Sequence, residues 1–128
     1  MQASGTFEVE LRPQKHDTVE TGRIIMQKRY IGGMQGAAEG QMLSYRTNVE
    51  GSAGYVALEH FTGTINGLQG SVRFTHCGLM NRGTQSLTVS IIPDSGTAGL
   101  RNISGVMHIQ VEDGSHQYTL DYQLNDTA

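Results

Sequence analysis

The chain has 128 residues, a length typical of one domain, with 17 Gly, 2 Pro and no Trp. Nine basic residues against twelve acidic ones give a net charge of −3, which excludes the basic face that nucleic-acid binding requires. Charged residues make up 16% of the chain and hydrophobic ones 37%, as in a globular protein rather than a disordered one. Because no apolar run approaches the roughly 18 residues of a membrane span, we expect a single soluble domain over 1–128, with no membrane partner.

The compartment is predicted from the first residues and from the cysteine count. The segment from Met1 to Thr6 has neither a basic start nor an apolar stretch, so it predicts no secretory signal. The single cysteine, Cys77, cannot form an internal disulfide, which fits a reducing compartment. We therefore expect a cytoplasmic protein.

Regularly spaced glycines divide the chain into short segments with the alternation of strands. Val, Ile, Thr, Tyr and Phe recur with period two between these glycines, and no window has the spacing of an amphipathic helix. The segment 36–40 (GAAEG) is predicted to be a loop or bulge. Units of about 16 residues give about eight strands, so we predict an all-β fold: a single closed eight-stranded antiparallel up-and-down β-barrel.

The first strand has a clear inner face, whereas the next two do not. Phe7, Val9 and Leu11 alternate with polar residues. If this strand pairs with the last one, the sheet closes and loses its edges. In the second and third strands, roughly 21–32 and 35–47, charged residues such as Lys28 and Arg29 leave the inward face open.

The fourth and fifth strands are predicted to form a hairpin around Gly67-Leu68. In that register opposed residue numbers sum to 135. The predicted pairs are Phe61 with Phe74, Glu59 with His76, Ala57 with Gly78, and Tyr55 with Met80.

This register predicts that Glu59 and His76 face each other inside the barrel. The fifth strand should turn His76 inward, because its alternative face carries Arg73. A buried carboxylate needs a partner, and the opposed imidazole is the nearest candidate. The Tyr55 hydroxyl could complete the cluster, and Lys28 is a rival partner for Glu59 if the second strand turns that face inward.

The outer face of the fourth and fifth strands is unusually apolar. It comprises Val56, Leu58, His60, Thr62, Cys77 and Leu79. An exposed apolar stripe of this size indicates a subunit contact. We therefore expect a homo-oligomer.

The turn at residues 81–84 places Leu87, Val89 and Ile91 beside the inner face of the fifth strand. The last two strands are predicted to turn at Asp113-Gly114, a strong two-residue hairpin signal. The expected pairs run from Glu112 with Ser115 to Ile103 with Leu124.

No metal or cofactor site is predicted. The five histidines show no ligand spacing on one strand, so we expect neither metal nor cofactor. The GTAG segment at 96–99 opens no predicted helix that could cradle a phosphate. Ser95 lies in a turn without the partners of a nucleophile, and Cys77 should point outward, away from His76.

Several runs of residues resemble the domain-of-unknown-function family 3224 (DUF3224). They are GSAGYVALE at 51–59, TGT at 62–64, GSVRFTH at 70–76, PDSGT at 93–97 and ISG at 103–105. The resemblance implies an allene oxide cyclase-like β-barrel that forms homo-oligomers, and it implies no particular function. Ala98 and Asn102 stand where this likeness leads us to expect glycines. A shared fold does not carry the cyclase activity with it.

Three functions stay open at this point. The first is a module that binds a small apolar or amphipathic molecule inside the barrel, with expected contacts at Tyr55, Phe61, Phe74, Met80, Met107 and Tyr118. The second is an isomerase, cyclase or hydrolase that uses Glu59 and His76 as catalytic acid–base groups. The third is a structural or interaction protein whose barrel is filled.

Overall fold

A closed ring of eight antiparallel strands forms the protein. The computed structural model describes residues 1–125. The strands are β1 (Gln2–Pro13), β2 (Gly22–Gly32), β3 (Met34–Arg46), β4 (Ala53–Ile65), β5 (Leu68–Asn81), β6 (Thr84–Ile91), β7 (Ile103–Glu112) and β8 (Ser115–Leu124). Each strand pairs with the next along the chain, and β1 pairs with β8. The predicted closed eight-stranded barrel is confirmed.

Turn chemistry sets the register of β7 and β8 as predicted. Asp113 and Gly114 both have positive φ, at 51° and 79°, as a type I′ turn requires. The pairs run without a slip from Glu112 with Ser115 to Ile103 with Leu124.

The predicted register of β4 and β5 is wrong by two residues. The two-residue loop is Asn66-Gly67, with Ile65 opposite Leu68, so opposed residues sum to 133. Asn66 and Gly67 have positive φ, at 47° and 86°, and Asn-Gly is the preferred pair for such a turn. A slip of two residues keeps every side chain on its predicted face.

The true β4–β5 pairs therefore replace the predicted ones: Phe61 with Val72, Glu59 with Phe74, Ala57 with His76, and Tyr55 with Gly78.

Two local predictions are also wrong. The segment 36–40, expected to be a loop or bulge, is a continuous part of β3. Gly36 lies directly opposite Gly63 of β4, and a Cβ on Gly63 would lie 2.0 Å from the Gln35 carbonyl oxygen. These glycines let adjacent backbones approach closely within an unbroken strand. The GTAG segment opens a short 3₁₀ turn, Ala98–Leu100, although no helix was expected there.

The barrel interior differs between its two ends. The end at which β1 begins is closed by side chains that are almost fully buried: Ala3, Met34, Ile65, Leu100, Ile103 and Tyr122. At the other end, which we call the mouth, the inward-facing side chains keep partial exposure: Val9, Met42, Tyr55, Leu87, Ile109 and His116. The mouth therefore leaves several inner side chains within reach of solvent.

Candidate functional site

A cluster of charged side chains lies inside the barrel between the packed core and the mouth. Lys28 projects inward from β2, Glu59 from β4 and His76 from β5. Their side chains are 4%, 1% and 5% exposed. We call Lys28, Glu59, His76 and the adjoining Tyr30 the inner cluster.

Glu59 is the hub of the inner cluster. Its Oε1 accepts hydrogen bonds from Lys28 Nζ at 2.9 Å and from His76 Nε2 at 2.8 Å. Its Oε2 accepts a hydrogen bond from the Tyr30 hydroxyl at 2.5 Å. Lys28 Nζ also lies 4.6 Å from the centre of the Phe7 ring, which allows a cation–π contact. The carboxylate is therefore buried with partners on both oxygens.

The predicted contact between Glu59 and His76 is present, although the two residues are not directly opposed. Ala57 occupies the position across from His76, so Glu59 reaches the imidazole on the diagonal. Diagonal neighbours on one face of a sheet lie within the reach of long side chains.

The surroundings of Glu59 keep it ionised. Burial alone raises the pKa of the carboxyl, but three effects outweigh it: the His76 hydrogen bond, the charges of Lys28 and His76, and the Tyr30 hydrogen bond. Together they lower the Glu59 pKa from 4.5 to about 2. Burial and the neighbouring Glu59 charge raise the pKa of Tyr30 well above 10. Tyr30 is therefore a neutral donor to an ionised carboxylate.

The ionised carboxylate also assigns the tautomer of neutral His76. In neutral His76 the carboxylate, which only accepts hydrogen bonds, fixes the proton on Nε2 and leaves Nδ1 as an acceptor, whereas in charged His76 both ring nitrogens are donors. Nδ1 has no hydrogen-bond partner within residues 1–125. It is not among the polar atoms that the fold seals from solvent, whereas Nε2 of His60 on the outer face is sealed and unpartnered. Nδ1 of His76 is thus a ring nitrogen without a partner among the described residues, in a side chain that is 5% exposed.

Tyr30 completes the cluster where the sequence had suggested Tyr55. Tyr55 packs its ring over Gly78, where an added Cβ would lie 2.2 Å from Cε1 of the tyrosine. The prediction of Tyr55 as the donor is therefore wrong. Lys28, considered as a rival to His76, binds Glu59 together with it. Met26 and Tyr30 lie two residues before and after Lys28, on the same face of β2. These two largely apolar side chains were the signal in the sequence that this face, and Lys28 with it, turns inward.

The six residues expected to contact a ligand divide into two groups. Phe61, Phe74, Met107 and Tyr118 are buried in the core, and the Tyr118 hydroxyl donates to the Ile31 carbonyl oxygen. Tyr55 is partly exposed at the mouth, and Met80 is 37% exposed.

The small inner residues mark close contacts rather than free space. The Tyr55 ring fills the space beside Gly78, and a Cβ on Gly105 would lie 2.2 Å from the Asp121 carbonyl oxygen. These glycines therefore leave no room for a ligand beside them.

Other candidate groups take structural places. The Ser95 hydroxyl bonds to the backbone of Arg73, and Cys77 is an exposed free thiol that points away from His76, as predicted. Within residues 1–125, no group of three or more His, Cys, Asp or Glu side chains is arranged to hold a metal ion. The same residues contain no helix long and apolar enough to cross a membrane.

The comparisons with known proteins agree on one family. Residues 3–122 match the family model described as "Protein of unknown function (DUF3224)". The chain belongs to the DUF3224 family. A crystal structure of a DUF3224 protein with unknown function from Shewanella oneidensis MR-1 is similar over 99% of this chain and 98% of that one. The two are 33% identical, with a TM-score of 0.93. No curated protein matches the chain.

Proposed function

We propose that this DUF3224 barrel binds a small amphipathic molecule between its mouth and the inner cluster. The observation that carries the proposal is Nδ1 of His76, a ring nitrogen that has no hydrogen-bond partner among residues 1–125 and lies within a buried charged cluster. A ligand hydroxyl or other donor would bond to this nitrogen. Its apolar part would lie toward the mouth against side chains such as Val9, Leu87 and Ile109, which pack against the core and are only partly buried.

The energetics of the inner cluster support a functional role. Removing charges from water is costly, and replacing a buried ion pair by apolar residues of similar size is often neutral or stabilising. The rest of the barrel interior is packed with apolar residues. Stability alone therefore gives little reason to keep Lys28, Glu59 and His76 inside the barrel.

The predicted core residues have an indirect part in this proposal. Phe61, Phe74, Met107 and Tyr118 form a packed floor that keeps a ligand near the mouth. Tyr55 belongs to the wall of the proposed site, since it is partly exposed on the inner face. Few polar contacts among apolar walls are typical of small-molecule sites.

Native mass spectrometry of freshly purified protein gives the first test. We expect a bound small molecule on the native chain and its loss from His76→Asn. The matched control is His108→Asn, which changes an exposed histidine on the outer face and should keep the bound mass. Retention of the ligand by His76→Asn would contradict the proposed contact.

A probe of known chemistry gives the second test. Hexanol should shift the side-chain nitrogen resonances of His76, whereas hexane should leave Nδ1 unperturbed because it offers no donor. Binding of neither probe, together with no co-purified mass, would favour the third reading, a filled structural barrel.

The Glu59–His76 hydrogen bond favours an acid–base enzyme as the second candidate. A carboxylate that orients an imidazole is the arrangement by which many enzymes hold a general base. With its pKa at about 2, Glu59 would remain ionised and position His76, and Nδ1 would take the proton. Conversion of the bound molecule by the native chain and its loss in His76→Asn would support catalysis. A ligand recovered unchanged would leave binding alone.

We also propose a cytoplasmic location. The support is the exposed free thiol of Cys77, which suits a reducing compartment. Cell fractionation tests this directly, and recovery outside the cytoplasm would overturn it.

A further inference from the structure

The outer face of β3, β4 and β5 carries exposed apolar side chains beside unpaired charges. Val56 is 50% exposed, and Leu58 and Leu79 are each 61% exposed. An open groove of about 1010 Å³ crosses this face between Arg23 on β2 and Ile92 after β6. Contiguous exposed apolar surface of this kind marks interaction sites in soluble proteins.

Strand register arranges the side chains of this outer face in rows across three strands. One row is Glu39, His60 and Arg73. The next rows toward the mouth are Gln41, Leu58 and Thr75, then Leu43, Val56 and Cys77. In every row the central residue belongs to β4. The face is therefore organised about β4 as its midline.

The charges in the first row are opposite in sign and lie on opposite sides of β4. Glu39 on β3 and Arg73 on β5 are both exposed. Neither forms a salt bridge with another side chain in residues 1–125. The Arg73 guanidinium reaches only the Ser95 carbonyl oxygen, at 3.4 Å. Each copy thus presents, in one row, a glutamate without a basic partner and an arginine without a carboxylate partner.

We propose that this face joins two copies of the chain about a two-fold axis parallel to β4. Such an axis brings β3 of one protomer onto β5 of its partner. It does not change the position of a row along the direction of β4, so each row meets the same row of the partner. It therefore places Glu39 of each protomer against Arg73 of the other. Such self-complementarity is the requirement of a two-fold interface.

The other rows match under the same axis. Gln41 meets Thr75, so a polar side chain faces a polar one. Leu43 meets Cys77, and Val56 and Leu58 on the midline meet their own copies. These rows span β3 to β5, which are about 10 Å across at a spacing of roughly 4.8 Å between neighbouring strands. A second copy thus fits the chemistry of the face.

Charge reversal tests the axis as well as the dimer. Sedimentation at tens of micromolar should give twice the 13.9 kDa chain mass. Glu39→Arg and Arg73→Glu should each weaken the dimer by roughly tenfold or more, because each places like charges together twice. The double variant Glu39→Arg/Arg73→Glu should restore it. Glu112→Arg, an exposed reversal on β7, is the control and should leave the dimer unchanged.

Mixing the two single variants is the decisive experiment. Glu39→Arg protomers would carry two arginines in the row, and Arg73→Glu protomers two carboxylates, so the mixture should form heterodimers. Leu58→Asp should dissociate the native dimer, because it places two carboxylates on the midline. A monomeric native protein, a dimer indifferent to these variants, or a mixture that does not recover dimerisation would each overturn the proposal.

Discussion

Glu59→Gln is expected to destabilise the barrel by roughly 3 kcal/mol at neutral pH. The amide has nearly the same shape but no charge, so Lys28 stays buried at 4% exposure without its counter-ion. Removing one partner of a buried ion pair commonly costs about 3–5 kcal/mol. The Glu59 pKa gives a similar figure, because lowering it from 4.5 to about 2 corresponds to roughly 3 kcal/mol of stabilisation.

The same pKa fixes the pH range in which this stability is lost. The carboxyl has a lower pKa folded than unfolded, so its contribution is complete above about pH 4.5 and disappears as the pH falls toward 2. The native protein should lose this contribution over that interval. Glu59→Gln should lack this component of the acid dependence.

Urea unfolding followed by circular dichroism measures both effects. Glu112→Gln is the matched control: an exposed carboxylate on β7, whose loss should change the free energy of unfolding by less than about 0.5 kcal/mol. A loss below about 1 kcal/mol for Glu59→Gln, or an unchanged acid dependence, would refute the account of Glu59 as an ionised buried hub.

Three further variants test other parts of the fold by the same unfolding measurement. Ala98→Gly should stabilise the protein by about 0.5–1 kcal/mol, because Ala98 has a φ of 52° that costs an L-residue more than glycine; an unchanged or lower stability would contradict this. Gly63→Ala should cost more than about 3 kcal/mol or prevent folding, since its Cβ would lie 2.0 Å from the Gln35 carbonyl oxygen, and native stability would show that the strands can separate freely. Tyr118→Phe should cost about 1–3 kcal/mol, because the hydroxyl is the acceptor for the buried Met34 N–H; a neutral effect would indicate that another group satisfies it.

Turn residues and alternation were enough to predict much of the barrel. Asp113-Gly114 defines its loop without ambiguity, and every predicted β7–β8 pair is correct. At the other hairpin, Asn66-Gly67 is the stronger turn pair, and centring the loop one residue later shifted the register by two. A shift of two residues does not move a side chain to the other face of a strand, so Glu59 and His76 were still predicted on the inner face.

Local pattern gives only a weak signal for the rest of the inner cluster. Lys28 and Tyr30 share a face of β2, but an inward lysine contradicts the usual alternation of apolar and polar residues. Only the pairing with β1 and β3 settles which way β2 turns, and a long irregular connection precedes it. Lys28 becomes intelligible as an inner residue once Glu59 lies across the barrel from it.

Because β1 pairs with β8, none of the eight strands is left as a free edge. The Met1 carbonyl oxygen accepts a hydrogen bond from the Tyr122 N–H at 2.8 Å, so the start of β1 and the end of β8 lie side by side. A short linker could join them, and the chain could be opened at Asp113-Gly114, where the turn is exposed and Gly114 has no neighbour within 4 Å of an added Cβ. Such a circular permutant would keep the same cyclic order of strands and the same inner cluster. The fold is thus specified by which strands are neighbours in the barrel. The natural order of the strands along the chain is one of several that could produce it.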